Sequence, residues 1–319
     1  EPGAAAHRRL PAPRRGALVT AAAAMPALAP VTRIRTRDAT PADNAALVAL
    51  AASCEMAGDV GLRVDRAPDF FALNRLEGRR WRVGVATVEG DGAGDVAGCI
   101  AVAEREAYVN GAPARVGWVS DFKVHPRHRG GPVADALTRW AAATARALLG
   151  RDDAPLTMTI LAGNVPMERR AAGQRALPVL APFADVDAWA VPLLWRRREV
   201  VDGVRVSRAS ERDVEEMAAL WARVAPTRQL APVLDASSLA AWVAAAPGLA
   251  LSDYLIARGR DGRRIAGFLA LWDQSSFKQL RVTSYSRRLA AARAALNAVA
   301  PLAGAAPLPP AGEPLRTVS

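Results

Sequence analysis

The sequence predicts an α/β fold of layered sheet and helices, with one such unit repeated in tandem. Three features predict it. A strand followed by a capped helix opens the chain and recurs downstream, a β-hairpin recurs at nearly the same spacing, and a basic, glycine-bearing loop lies between a strand and an amphipathic helix.

The first opening is IRTRDATPADNAALVAL from Ile34. Alternation over its first residues suggests a strand. Thr40 and Asp43 then fall where a helix N-cap and its N3 acid sit, and Leu47 and Leu50 begin an apolar stripe. VRVSRASERDVEEMAALW, from Val204, repeats these moves: Ala39, Thr40, Asp43, Leu47 and Leu50 align with Ala209, Ser210, Asp213, Met217 and Leu220 at a constant offset of 170. VAGCIAV at 96–102 resembles IAGFLAL at 265–271, offset 169, and each follows an apolar strand (WRVGVATV, YLIARG) and a polar turn, as in a β-hairpin. Two segments at almost equal offsets argue for a tandem duplication.

Between these anchors the first unit, 31–195, reads as helices at 41–57 and 68–76, a hairpin at 81–107, a strand at 115–124, the basic loop, a helix at 133–149, a strand at 156–161, a short helix near 164–175 and an apolar stretch to Leu194. WRRREVVDG marks a linker at 196–203. The second unit, 204–319, adds a strand near 280–285 and a helix at 289–300, and reads as partial or degenerate. Residues 1–30 carry Pro, Ala and Arg without periodicity and read as a disordered leader; the part after Arg14 and Arg15 is mostly alanine, which suits a signal peptide poorly.

At 319 residues the chain has material for two domains, and 51% hydrophobic with 23% charged residues fits a globular protein. No apolar run reaches the ~18 residues of a membrane helix, so no membrane partner is expected. The formal charge is +11, yet Lys123 and Lys278 are the only lysines among 42 basic residues. Without a basic stripe interleaved with aromatics, this skew reads as compositional, and no nucleic-acid partner is expected. Cys54 and Cys99 lie in apolar runs with no partner at metal-ligand spacing, which predicts buried thiols, no metal and a reduced, cytoplasmic setting.

The loop itself is VHPRHRGGPVADAL, from Val124. It offers the free N–H groups and positive dipole end of a helix N-terminus with arginines beside them, an arrangement that holds an anion such as a pyrophosphate. Gly130 and Gly131 allow close backbone approach, and Pro132 suits a first turn. Neither GxxxxGK[ST] nor an early GxGxxG is present.

Arg127-His128-Arg129-Gly130-Gly131-Pro132 after the strand DFKVHP resembles the cofactor loop [Q/R]-x-x-G-x-[G/A] of the GNAT superfamily of acetyl-CoA-dependent acyltransferases, and the element order over about 31–195 is similar too. Pro132 departs from the pattern, since it has no N–H to offer a phosphate. The resemblance implies a mixed, mostly antiparallel central sheet flanked by helices. It also implies acetyl-CoA as co-substrate, no metal, and transfer of an acyl group to an amine on a small molecule or peptide, or alternatively a non-catalytic acyl-CoA-binding or regulatory module. It assigns acetyl-CoA contacts to Phe122, Val124, Arg127, His128, Arg129, Gly130, Gly131, Val133, Ala134 and Asn164, although an asparagine after a strand is equally a helix cap. Asp121, with Ser120 beside it, is the carboxylate best placed to take the amine proton, its competing role being a structural hydrogen bond. The family's acid is often a tyrosine on the short helix after the fifth strand, and none falls there: the tyrosines are Tyr108, Tyr254 and Tyr285. WDQSSFKQLRVTSY, from Trp272, reads either as a cavity wall or as a polar edge strand.

Overall fold

Strand β1 (Ile34–Asp38) leads into a single turn, Pro41–Asp43, closed by a capping box in which the Thr40 N–H donates to Asp43 Oδ2 at 2.7 Å. These coordinates are a computed structural model that describes residues 33–92, 95–174, 180–187, 203–259, 262–303, 307–315 and 317. The expected leader and all but Gly203 of the expected linker lie outside them. Helix α1 (Asn44–Ser53) stops four residues short of the expected 57, because Cys54 turns extended and Glu55–Met56 form strand β2. Its partner, β3 (Val60–Asp65), was not expected at all.

The expected helix at 68–76 is instead two short 3-10 turns, Phe70–Ala72 and Asn74–Leu76. Phe70, Phe71 and Ala72 are all buried, so three consecutive residues face the core and no helical stripe forms.

Strands β4 (Arg80–Val88), β5 (Gly98–Val109) and β6 (Ala112–Val124) follow, then helix α2 (Val133–Leu149), strand β7 (Leu156–Met158), helix α3 (Val165–Arg169) and one π turn, Arg170–Gln174. The sheet order is β1-β4-β5-β6-β7, antiparallel except for β6–β7. This is the mixed, mostly antiparallel sheet that the sequence resemblance implies. The amphipathic face of α2 (Val133, Leu137, Ala141, Leu148) covers one side with Ile100 and Val102, while Leu47, Leu50 and Phe70 cover the other over Val85 and Cys99.

In the second half, β8 (Arg205–Arg208), α4 (Val214–Val224), α5 (Ala236–Ala245), β9 (Tyr254–Arg258) and β10 (Ile265–Ala270) form a three-stranded antiparallel sheet, order β10-β9-β8. That pairing repeats β5-β4-β1, and Ser210 with Asp213 repeats the capping box, its N–H donating at 2.9 Å. Strand β11 (Gln279–Tyr285) then departs from the pattern: it pairs with β3 of the first half, in the order β11-β3-β2, before helix α6 (Arg287–Val299). Met217, Ile256, Trp272 and Phe277 share a core with Ala72, Leu73 and Leu76.

Helix α2 sits close on its sheet where the strands lack side chains. A Cβ at Gly84 would lie 2.4 Å from the Trp140 ring. Gly84→Ala is therefore expected to lower stability by about 1–3 kcal/mol in urea unfolding, and by clearly less in a Trp140→Leu background, because the clash is with that ring.

Candidate active site

Strand β6 pairs with β5 along its whole length, but with β7 only from Gly117 to Val119 against Leu156 to Met158. Beyond Val119 the two parallel strands part. The edge of β6 that this uncovers opens on a cavity of about 1080 Å³. At the same place the β5 ladder slips: Ala101 faces Ser120 and Cys99 faces Lys123, so Asp121 and Phe122 bulge out opposite Ile100 alone. Asp121 takes φ +48°, a left-handed conformation that costs a non-glycine residue roughly 1–2 kcal/mol.

The bulge turns the Asp121 carboxylate into a buried cluster of cations. Arg66 Nη1 donates to both of its oxygens at 2.9 and 2.8 Å, Lys123 Nζ donates at 2.6 Å and Asn74 Nδ2 at 3.1 Å. The Arg66 and Asp121 side chains are only 4% and 9% exposed. Burial alone would raise the Asp121 pKa, but Lys123 and Arg66 outweigh it and hold the carboxyl well below the usual aspartate range. Of the two roles the sequence offered Asp121, proton acceptor or structural hydrogen bond, this arrangement fits the second, since Arg66, Lys123 and Asn74 take up its carboxylate.

Ser120 directs its hydroxyl elsewhere, donating to Glu77 Oε2 at 2.7 Å, and Asn74 Nδ2 reaches the same oxygen at 3.2 Å. Glu77, on the cavity wall, differs from Asp121 in that its carboxylate accepts from these two neutral donors, while the charge of Arg105 opposes the rise of its pKa. Burial is the main cause that raises its pKa, and the Asp121 charge adds to it against the two hydrogen bonds. Two carboxyl groups joined through Asn74 thus lean in opposite directions.

The loop after β6 is fixed at its start, where the His125 N–H donates to Ala97 O at 2.8 Å. After the turn Pro126–His128, Gly130 adopts φ +77° and a Cβ there would meet nothing within 4 Å. Pro132 is the cap residue of α2, and Ala136 is the first to bond back, to Pro132 O at 3.0 Å. The N–H groups of Val133, Ala134 and Asp135 therefore precede the first intrahelical bond. Arg170, on the π turn, pairs with Asp135 and ties that segment to the start of α2.

Of the residues singled out in the sequence, Asp121, Phe122, Val124, Arg129, Gly130, Ala134 and Asn164 line this one cavity. Asn164 is the cap residue of α3, yet its side chain makes no capping hydrogen bond. The others lie off the walls. Arg127 is exposed near Asp95 at 3.6 Å, His128 Nε2 meets Asp91 Oδ2 at 2.8 Å, and Val133 is packed under α2. Ser120 and Gly131 also stand back from it. The reading of the sequence missed Glu77 and Arg66, neither of which belongs to a motif; Lys278 lies in the stretch from Trp272 that was read either as a cavity wall or as an edge strand, and it lines the cavity. Cys99 is buried, its thiol pushed up to about 12, and among the described residues no group of three or more metal-ligating side chains occurs. No helix among them is long and apolar enough to cross a membrane.

The element order, the mixed, mostly antiparallel sheet and the loop at the N-terminus of α2 match what the sequence resemblance implies. The first half of the chain has a GNAT-like fold. No family model and no curated protein matches the chain. Solved structures similar to it include a GCN5-related N-acetyltransferase from Kribbella flavida, with 14% identity over 90% of this chain and 68% of that one and a TM-score of 0.43. Glucosamine-6-phosphate N-acetyltransferase from Arabidopsis thaliana is 12% identical over 50% of this chain and 98% of its own, TM-score 0.36. Ribosomal-protein-alanine N-acetyltransferase from Brucella melitensis biovar Abortus 2308 is 20% identical over 50% and 98%, TM-score 0.32.

In this GNAT-like half, Asp121→Asn leaves two buried cations without their carboxylate and is expected to cost about 3–5 kcal/mol in urea unfolding at pH 7. The sign with pH follows from the depressed pKa. The contribution is complete above the unfolded aspartate pKa and fades as pH falls towards the folded value, so the wild type should lose stability below about pH 4, by a slope that the variant lacks.

Proposed function

We propose that the protein is an N-acetyltransferase that moves an acetyl group from acetyl-CoA to an amine. One observation carries the reading: the uncovered edge of β6 and the anion-holding loop at α2 open on the same cavity. A cavity of about 1080 Å³ suits an elongated donor together with an acceptor. In this reading Arg129, the Gly130 backbone and the first-turn N–H groups of α2 hold the donor's pyrophosphate, and Pro132 costs one donor among several. The edge from Phe122 to Val124 and the Asn164 side chain take its amide-bearing arm.

Transfer needs a neutral amine, correct placement and an N–H that polarises the thioester carbonyl. Glu77 accepts a proton from the incoming ammonium, and its raised pKa suits that task better than Asp121 does. The amine nitrogen attacks the thioester carbon while the Phe122 N–H steadies the carbonyl oxygen. The carbon–sulfur bond then breaks, the nitrogen gives up its second proton to water, and the thiolate takes one from water, leaving an amide and the free thiol. Residues 31–195 form the donor-binding unit and 204–319 a degenerate second copy that shapes the acceptor end. Support for that copy comes from β8, β9 and β10, which repeat the pairing of β1, β4 and β5.

Calorimetric titration of acetyl-CoA tests the donor site. Arg129→Glu puts a like charge beside the pyrophosphate and is expected to weaken binding by about tenfold or more. It is a cleaner change than one at Gly130, where φ +77° would add backbone strain. Absence of binding by the folded wild type would overturn the reading, and binding without transfer to any amine would favour the non-catalytic module. Glu77→Gln should leave acetyl-CoA affinity intact and lower kcat by about 10²–10⁴, removing a pH–rate limb that lies above the ordinary glutamate pKa. An unchanged profile would take the base role away from Glu77.

A further inference from the structure

Lys278 is one of only two lysines in the chain, and it reaches the cavity from the second half. Its backbone is held on both sides. Phe277 is buried against Trp272 with ring centroids 5.6 Å apart, and Gln279 starts the β11 ladder opposite Asp65. The Gln279 amide also donates to Ala67 O at 3.2 Å, one residue from Arg66. A rigid mount of this kind aims a long side chain at one place.

The ammonium at its tip has a neutral partner, Gln274 Oε1 at 3.0 Å, and among the described residues no carboxylate pairs with it. Burial, and after it the charge of Arg66, hold its pKa below the ordinary lysine value. The cavity is lined by six arginines and lysines, Lys278 among them, against the three carboxylates of Glu55, Glu77 and Asp121, the last already shared by Arg66 and Lys123. With Glu77 ionised, as its proton-accepting role requires, the lining still carries an excess of positive charge. A bare ammonium entering this wall meets net positive charge and is opposed. An acceptor that brings its own anion is not, because the anion neutralises Lys278 while the amine faces Glu77. Glu77, Asp121 and Lys278 all line this one cavity.

From this geometry we infer that the acceptor is an amine carrying an acid group, carboxylate or phosphate, which Lys278 holds by a charge-assisted hydrogen bond. The inference rests on the acetyltransferase reading, and it makes the second half a direct participant in choosing the acceptor.

The test pairs compounds that differ in the acid group alone: glycine with glycinamide, L-alanine with L-alaninamide, and 2-aminoethyl phosphate with ethanolamine. Acetyl-CoA binding is measured first, by calorimetry, and its absence would sink the parent reading rather than this one. With binding established, kcat/KM is expected to favour the acid-bearing member by about tenfold to a hundredfold, the range of one hydrogen bond to a charged group. The preference should shrink towards parity in Lys278→Gln while acetyl-CoA affinity stays the same. The phosphate pair against the two carboxylate pairs decides which acid is taken. Preference for the amides and ethanolamine, or an equal fall in kcat for both members of every pair in Lys278→Gln, would overturn the proposal.

A second measurement does not depend on turnover. Carbon-13 labelling of lysine gives two side-chain signals, and Lys278→Gln assigns them. Acid-bearing amines should shift the Lys278 signal and move its titration upward in the acetyl-CoA-bound protein, and their neutralised partners should not. A Lys278 signal indifferent to every acid-bearing amine would equally overturn the assignment.

Discussion

The site depends on one buried ion cluster, in which Asp121 is gripped by Arg66 and Lys123 at the point where β6 leaves its ladder. Ion pairs that deep in a protein gain little net stability, since desolvation offsets most of the attraction. What this one fixes is conformation. Asp121 at φ +48° is strained, and the bulge that strains it also carries Phe122 out of register and leaves the far end of β6 uncovered. Arg66 Nη2 donates to Phe70 O at 2.5 Å, and the guanidinium lies over the Phe70 ring at 4.7 Å from its centroid. The same arginine thus binds the turn after β3 to the bulge of β6, and the cavity lies between them.

Through β3 the cluster also reaches the second half. β11 pairs with β3, and Arg281 Nε bonds Asp65 Oδ2 at 2.7 Å one residue before Arg66. The stretch around Gly312 to Leu315 covers the other side of β11 with three backbone hydrogen bonds, the shortest 2.7 Å. Across the molecule, Tyr108 in β5 exchanges backbone hydrogen bonds with Leu230 and Ala231. A second copy that merely followed the first would carry its own strand beside β10. Here β11 pairs with the first half instead, which explains how Lys278 comes to face a cavity otherwise lined by residues between Cys54 and Arg170.

Sequence made the periodic parts legible. Helix α2 was readable to the residue because its apolar face, the loop before it and the C-cap Gly150 all agree. The capping boxes at Thr40 and Ser210 marked the turns that open α1 and α4 for the same reason. The stretch from Cys54 to Leu76 was misread because its signals conflict. Glu55 and Met56 are exposed, β3 is six residues with a glycine, and Phe70 to Ala72 are buried on every side, so neither period 2 nor period 3.6 survives. The loop half of the candidate site carried a motif and was found. Of the polar half only the segment of Lys278 was offered as a cavity wall, because Arg66, Glu77 and Lys278 are brought together by the pairing of β3 with β11 and by a short turn, and no spacing in one sequence encodes that meeting.

That meeting also divides the chemistry between two acids. Asp121 and Glu77 share Asn74 as a hydrogen-bond donor, yet the two close ion pairs, with Arg66 and Lys123, fall on Asp121. One acid is thereby held ionised, and its charge, acting across a desolvated wall, raises the proton affinity of the other. The structural ion cluster and the proton acceptor are then two parts of one device: Arg66 and Lys123 shape the bulge by fixing Asp121, and Asp121 in turn tunes Glu77. The order of dependence runs from a strand bulge to a buried pair to a perturbed carboxyl, so Glu77, the residue proposed to accept the amine proton, owes its raised pKa first to burial and then to a neighbour with no part in the proposed transfer.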